Sequence, residues 1–237
     1  QFLQLAMSNG DSNIFTRGSA KALRLYPRVA SLWILSARFE FYSKGNIEAA
    51  RSIMQKALSL NRESLELWEF LFSLEIIYAE NVLERQEILG VRCKTASEHA
   101  VYTEMTLVVL DEALKALGDH KPSDYSVVNF LTNALKVTRR LQSLPNTISS
   151  ILEEHFGEDP NFIKKLSNSW MEVGTPEAAQ KCLSIVQSYF QKFPSGDNLE
   201  FCIRFLLELS ERLGLDSQEI VYVIWAKLDQ MISFSKE

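Results

Sequence analysis

The hydrophobic residues of this chain recur at three- and four-residue spacing, which is typical of helices that bury one face. Leu32, Leu35 and Phe39 form one such stripe, and Tyr42 extends it by a further turn. No segment sustains the alternation of polar and apolar residues that marks a strand between hairpin turns. The pattern predicts an all-α protein.

The helical pattern occurs twice, at an interval of 35 residues. SLWILSARFE at 31–40 matches ELWEFLFSLE at 66–75, and KALRL at 21–25 precedes KALSL at 56–60 by the same interval. Because the match covers two different helices, each unit is predicted to contain a pair of them. Tandem pairs of this length predict an α-solenoid of antiparallel helical hairpins.

A short polar segment separates the two helices of the first unit. Gly45 is predicted to take the left-handed position that ends a helix, because glycine has no Cβ to clash there. Asn46 is predicted to cap the free N–H groups of the helix that begins at Ile47. These two residues predict the tight turn of a helical hairpin.

Further helices are predicted in the rest of the chain, where Gly and Pro residues separate them. Their ranges are 97–117, 123–142, 146–156, 161–173, 176–193, 198–213 and 217–235. Residues 91–106 break the 35-residue interval and are less apolar, so we expect a linker there or one long helix that continues through it. The predicted parts are 1–92, which holds the repeats, and 93–237, a divergent helical-repeat part.

Composition narrows the class of protein. The 237 residues contain only nine Gly and six Pro, and 25 basic against 30 acidic residues give a net charge of −5, which disfavours direct binding of RNA. Cys93, Cys182 and Cys202 form no C-x-x-C, so we expect neither disulfides nor a zinc site, in an intracellular reducing compartment. No apolar run could span a bilayer. Because the first residue is Gln, we expect a piece of a longer chain.

No pattern of residues supports catalysis or a bound cofactor. His99, His120 and His155 stand apart from one another and from the cysteines, which predicts no metal site. Phosphate-binding loops, nucleophile elbows and zincin motifs do not occur. The sequence therefore predicts a protein that is not an enzyme and that has no catalytic, metal or cofactor-binding residues.

Two basic clusters are candidates for weak contact with RNA phosphates. They are Lys136, Arg139 and Arg140 on one predicted helix and Lys164 and Lys165 on another. A solvated helix face explains both clusters without a ligand.

The two tryptophan helices resemble the half-a-tetratricopeptide (HAT) variety of repeat, whose motif is W-x6-E in the first helix and A-R-x-I-[FYM]-x-[RK]-A-L in the second. The residues that carry the motif are Trp33, Glu40, Ala50, Arg51, Ala57, Leu58, Trp68 and Glu75. Because residues seven apart share a helix face, we expect Glu40 to meet Arg51 as a partly buried pair.

Residues 46–90 resemble more specifically the U3 small nucleolar RNA-associated protein 6 family of the small-subunit processome. The pattern LW-x5-LE-x2-Y-x6-R-x3-LG is carried by Leu67, Trp68, Leu74, Glu75, Tyr78, Arg85, Leu89 and Gly90. The segment LVVLDEALKALG at 107–118 is similar to the helix that opens that family's C-terminal half. Relatives often carry an insertion where residues 91–106 stand, so we expect one to be missing here.

The resemblance implies a nucleolar, non-catalytic scaffold for U3-dependent pre-rRNA processing and 18S rRNA maturation. Implied partners are WD40-propeller proteins of the same subcomplex and, largely indirectly, the U3 ribonucleoprotein and the 5′ external transcribed spacer. No cofactor, membrane or small-molecule substrate is implied. The alternatives are a HAT scaffold of spliceosomal or mRNA 3′-end machinery, a solenoid that binds single-stranded RNA directly, and an all-helical enzyme with a pocket of perturbed acids.

Overall fold

A computed structural model of the chain describes residues 11–90, 96–117, 130, 144–171, 176–193 and 195–213. Every regular element in these residues is helical, which confirms the all-α prediction for the part of the chain that is described. The chain divides into two compact units, Gln1–Lys121 and Pro122–Glu237. The boundary expected near residue 92 from the repeats stays a prediction.

The first unit contains five helices, counted over its described residues. They are α1 (Ser12–Leu25), α2 (Ala30–Arg38, extended by a π-helical turn at Phe39–Ser43), α3 (Ile47–Leu60), α4 (Leu65–Ile88) and α5 (Ala96–Leu117). Helix α2 packs against α1, α3 and α4, and α4 packs against α3 and α5. The periodic apolar side chains form the core between them, with Phe15, Met54, Leu67, Phe72 and Leu110 among the most deeply buried.

The turn between α2 and α3 has the predicted form. Gly45 has a φ of 66°, and its N–H donates to the carbonyl oxygen of Phe41 at 3.1 Å. The side-chain oxygen of Asn46 accepts from the N–H of Ala49 at 3.0 Å and so caps α3. The N–H of Asn46 reaches back six residues, to the carbonyl of Glu40 at 2.9 Å, because the π-helical turn adds a residue before the helix ends.

The linker expected over residues 91–106 is mostly helix where the structure describes it. Helix α5 begins at Ala96, so residues 96–106 are helical, while residues 91–95 lie outside the described residues. Helix α4 does not run on into α5 as one helix, because Gly90 ends it with a φ of 65°.

The second unit contains four helices in its described residues. They are α6 (Leu144–Phe156), α7 (Pro160–Met171), α8 (Pro176–Lys192) and α9 (Gly196–Leu213). Helix α7 packs against the other three, and α8 also packs against α9. The bounds agree with the prediction to within two residues, while the helices predicted at 123–142 and 217–235 lie outside the described residues. Among the described helices none is both long and apolar enough to cross a membrane.

Two cysteines belong to the core of the second unit. Cys182 and Cys202 are buried, and burial raises the pKa of each thiol to about 12. Cys182 also donates its S–H to the carbonyl oxygen of Ser167 at 3.1 Å. Both therefore stay protonated and behave as small core residues, whereas Cys93 lies outside the described residues.

Candidate functional site

The candidate site is the set of repeat-defining residues. Its tryptophans and glutamates lie in two segments that we call the first repeat segment (21–40) and the second repeat segment (56–75). The other members lie in the second segment or flank it, namely Ala50, Arg51, Ala57, Leu58, Tyr78, Arg85 and Gly90. Each segment holds its tryptophan by the same hydrogen bond. The indole N–H of Trp33 donates to the carbonyl of Pro27 at 2.9 Å, and that of Trp68 donates to the carbonyl of Arg62 at 2.8 Å. Both acceptors lie six residues before the indole, so the bond needs a backbone carbonyl and tolerates either Pro or Arg there.

The backbone hydrogen bonds at the ends of α1 and α3 repeat at the same interval of 35 residues as the sequence. At the end of α1 the N–H of Tyr26 donates to the carbonyl of Ala22 at 2.8 Å. At the end of α3 the N–H of Asn61 donates to the carbonyl of Ala57 at 2.9 Å. The two segments therefore enter their tryptophan helices through equivalent turns.

A buried ion pair joins α3 to α4. Arg51 donates from Nε and Nη2 to the two carboxylate oxygens of Glu75, at 2.8 and 2.7 Å. The Glu75 side chain is only 2% exposed and that of Arg51 is 19% exposed. This two-bond geometry matches the planar guanidinium to the carboxylate and fixes the rotation of each helix about its own axis.

The other contacts of Arg51 complete its surroundings. Its Nη1 donates to Glu48 at 2.8 Å, and its guanidinium lies over the ring of Tyr78, 5.1 Å from the centroid. The hydrogen bond to Glu75 raises the pKa of Arg51 above its ordinary value, against the lowering effect of burial. Arg51 is therefore permanently charged, so it can hold two helices together but cannot act as a general acid or base.

The expectation that Glu40 pairs with Arg51 is wrong, because Arg51 pairs with Glu75. The carboxylate of Glu40 accepts instead from Lys44 Nζ at 2.7 Å, four residues along the same helical extension. Arg51 lies 24 residues before Glu75, and the residue 24 positions before Glu40 is Thr16. The first repeat segment therefore has the carboxylate but lacks the arginine that would reach it from the preceding helix.

The remaining repeat-defining residues differ in their surroundings. Ala50, Ala57 and Leu58 are buried in the core of the first unit. Tyr78 is half-buried beside Arg51, whereas Arg85 is exposed near the end of α4. Gly90 supplies the left-handed residue after that helix.

The candidate RNA-contacting residues are only partly described. Lys136, Arg139 and Arg140 lie outside the described residues. On α7, Lys164 is exposed and Lys165 is half-buried. The described residues contain no group of His, Cys, Asp and Glu that could hold a metal ion.

The second unit has a smaller polar network of its own. Ser149 donates to the carboxylate of Glu153 at 2.9 Å, and the indole of Trp170 donates to the Ser149 hydroxyl at 3.3 Å. Lys181 Nζ lies 3.4 Å from the same carboxylate. The network joins α8 to α6 through the Glu153 carboxylate and α7 to α6 through the Ser149 hydroxyl.

Sequence reasoning missed one contact between the two repeat segments. The Asn61 side chain donates to the carbonyl of Pro27 at 3.0 Å and to that of Ala57 at 3.2 Å. The Pro27 carbonyl thus accepts from both Trp33 and Asn61. An Asn after a helix indicates a local cap, but nothing in the sequence indicates an acceptor 34 residues away.

Comparison with known proteins supports the resemblance found in the sequence. No family model matches the chain. Over 87 residues the chain is 33% identical to U3 small nucleolar RNA-associated protein 6 of Schizosaccharomyces pombe, and over 189 residues it is 25% identical to the homolog of that protein in Dictyostelium discoideum. These matches cover 37% and 74% of this chain, but only 18% and 30% of the two relatives. The predicted family resemblance is confirmed.

Proposed function

Because the chain is related to the U3 small nucleolar RNA-associated protein 6 family, we propose that it is part of a scaffold protein in ribosome biogenesis. It serves U3-dependent pre-rRNA processing and 18S rRNA maturation in the nucleolus, as a non-catalytic subunit of the small-subunit processome. Its repeats form a HAT-type α-solenoid that acts through contacts with other proteins. The match to two relatives named for their association with the U3 RNA carries this proposal.

The contacts between the repeat segments suit a scaffold. Arg51 and Glu75 hold α3 and α4 in one rotational register, and Asn61 ties the two turns at Pro27. A protein that presents an extended surface to its partners needs successive helical pairs in a fixed relation. Removing either member of the buried pair would leave an unpaired charge, so the pair is better suited to fixing register than to adding stability.

The two described cysteines of the second unit are unsuited to act as nucleophiles. A nucleophilic cysteine needs a lowered pKa and access to its substrate. Burial has the opposite effect on Cys182 and Cys202, because it raises the pKa of both thiols and removes them from solvent.

The proposed partners are WD40-propeller proteins of the same processome subcomplex, with the U3 ribonucleoprotein and the 5′ external transcribed spacer recruited largely through them. A net charge of −5 suits docking to proteins better than wrapping bare RNA.

Affinity purification with the tagged chain as bait tests the proposal. We expect recovery of propeller proteins and U3 RNA, and we expect the propeller proteins to remain after ribonuclease treatment. Glu75→Ala should reduce recovery by disturbing the register of the helices, while Glu40→Ala, which changes a carboxylate with only a local partner, serves as the matched control. Recovery of splicing or mRNA 3′-end factors in place of U3 RNA would redirect the protein to another HAT scaffold.

A further inference from the structure

The charge of the first unit is unevenly distributed. Residues 12–39 contain five basic side chains and no acidic one, although residues 1–90 as a whole are balanced at ten of each. Four of the five follow the exposed face of α1 and the turn after it, namely Arg17, Lys21, Arg24 and Arg28. None of these four forms an ion pair with a described residue.

Exposed apolar side chains accompany the basic ones at the turns. Leu25, Tyr26 and Val29 are 62%, 60% and 42% exposed, and Leu60 is 47% exposed. Each lies within two residues of the hydrogen bond from Asn61 to the Pro27 carbonyl, which brings the two turns together at 3.0 Å. We call this surface, with Arg24 and Arg28 included, the turn patch.

One apolar position of the turn patch is exposed in both repeat segments. Leu60 is the counterpart of Leu25 at the 35-residue interval. Helix α3, which carries Leu60, is packed against both α2 and α4, yet Leu60 keeps 47% of its surface in solvent. The equivalent position is therefore exposed where helices lie on both sides of it.

We propose that the turn patch docks an acidic protein segment that carries apolar anchor residues. Arg24 and Arg28 offer planar guanidinium groups to carboxylates, and Leu25, Tyr26, Val29 and Leu60 offer apolar surface to the anchors. Arg and Tyr are the residue types that most often dominate binding energy at protein interfaces. The inference rests on the proposed scaffold function and names the chemistry of one partner.

The apolar side chains favour a protein segment over RNA. A single-stranded RNA could contact the two arginines through its phosphates and stack a base on Tyr26, but it would leave the aliphatic Leu25, Val29 and Leu60 in water. A peptide with both carboxylates and apolar side chains satisfies both halves of the patch. The adjacent Arg62 and Glu63 cancel in charge and leave the preference for an acidic partner unchanged.

The chain itself supplies fold-compatible variants for a test, because the second repeat segment already carries other residues at the equivalent positions. Arg24→Ser with Arg28→Glu replaces the two basic side chains by one neutral and one acidic side chain and so reverses the charge of the patch, since Ser59 and Glu63 stand 35 residues later. Tyr26→Asn with Val29→Ser removes apolar surface, since Asn61 and Ser64 stand there. Lys192→Ser with Ile88→Ser, at exposed positions on α8 and α4 outside the patch, is the control variant.

The test selects a phage-displayed library of short random peptides on the chain and measures the enriched peptides by fluorescence anisotropy. We expect enriched peptides with net negative charge and at least two large apolar residues. Their affinity should fall about tenfold or more for either patch variant, stay within about twofold for the control, and weaken as salt is raised. Neutral or basic peptides, or equal binding to the patch variants, would overturn the proposal.

A uridine oligonucleotide of about 20 nucleotides is the competing probe. If it binds the chain and loses affinity only in the charge variant, the patch is an RNA surface and the proposal is wrong. The bait experiment separates this failure from failure of the scaffold function. If U3 RNA is recovered but no peptide binds, only the docking role of the turn patch is wrong. If peptides bind but U3 RNA is not recovered, only the assignment to the processome is wrong.

Discussion

The two repeat segments hold their tryptophans in the same way but use their glutamates differently. Trp33 and Trp68 are both buried and donate to a carbonyl six residues earlier. The Glu75 side chain is 2% exposed and binds Arg51 on another helix, whereas that of Glu40 is 16% exposed and binds Lys44 in its own helical extension. Equivalent residues in the sequence therefore have different structural roles.

The tryptophan of the repeat motif acts within its own segment, whereas the glutamate can act between helices. The tryptophan finds its acceptor within its own segment, so the motif alone is sufficient. The glutamate needs a cation 24 residues earlier in the chain. Glu75 has Arg51 at that distance, whereas Glu40 has Thr16. Lys44 takes the place of that cation for Glu40 and also lies 3.4 Å from the Thr16 hydroxyl.

The largest expected effect tests what the segments share. Trp33→Ala and Trp68→Ala should each lower the free energy of unfolding by roughly 3–5 kcal/mol, because each removes a buried indole and leaves a cavity. Chemical denaturation of the purified chain measures the loss. Trp33→Phe and Trp68→Phe, which keep most of the apolar volume but lose the N–H donor, should cost less; a loss under about 1 kcal/mol for either alanine variant would contradict the shared role.

The next effect tests what the segments do not share. Glu75→Ala should destabilise the chain by about 2–4 kcal/mol, since it leaves Arg51 charged and half-buried; the partial exposure of Arg51 keeps the loss below that of a fully buried pair. Glu40→Ala should change stability by about 0.5 kcal/mol or less, because its pair with Lys44 is local and partly solvated. If both variants lowered the denaturant midpoint equally, the two glutamates would not differ in their contribution to stability.

A double-mutant cycle assigns the coupling to its partner. Arg51→Met combined with Glu75→Ala should give a coupling energy above about 1 kcal/mol, because the two side chains share two hydrogen bonds. Arg51→Met combined with Glu40→Ala should be additive within about 0.5 kcal/mol. Coupling to Glu40 would restore the pairing that the sequence suggested.

The turn glycines provide a smaller test of how each segment's helix ends. Gly45 and Gly90 have φ angles of 66° and 65°, and a Cβ at either position would meet no atom within 4 Å. Gly45→Ala and Gly90→Ala should therefore cost about 1–2 kcal/mol each, from backbone strain alone. Gly45→Asn should recover part of this loss, because asparagine tolerates the left-handed region better than alanine does. Thermal unfolding of the two variants measures the difference.

The smallest expected effect would make the first segment resemble the second. Thr16→Arg places a guanidinium 24 residues before Glu40, and a pair formed there should raise stability by about 0.5–1 kcal/mol. The same substitution in a Glu40→Ala background should give no gain. A gain that persists without Glu40 would show that the benefit does not come from the pair.

Sequence reasoning predicted the local elements of the first unit closely. The turn at Gly45 and Asn46 has the expected left-handed residue and cap, because both depend only on neighbouring residues. The π-helical turn at Phe39–Ser43 was not predicted, since the apolar spacing there fits an ordinary helix. Phe39 is nonetheless buried with its ring stacked 4.0 Å from that of Phe15, so packing against α1 accompanies the local change.

The candidate site was less predictable than the turns because its partners lie far apart in the chain. The motif indicates that Arg51 binds a carboxylate. Glu40 and Glu75 occupy equivalent positions in the repeat, so the sequence does not distinguish between them as its partner. The basic surface of residues 12–39 was also missed, because charge counted over 1–90 averages it against the acidic residues that follow.

The sequence by itself determined the helices described in the second unit to within two residues, where the first pair turns and that two segments repeat at 35 residues, because helix periodicity, glycine conformation and capping depend on near neighbours. Only the tertiary structure decided that Arg51 binds Glu75, that Asn61 binds the Pro27 carbonyl and that Leu25 and Leu60 stay exposed. Those outcomes depend on which helix faces pack together, and one helix presents several faces to several neighbours.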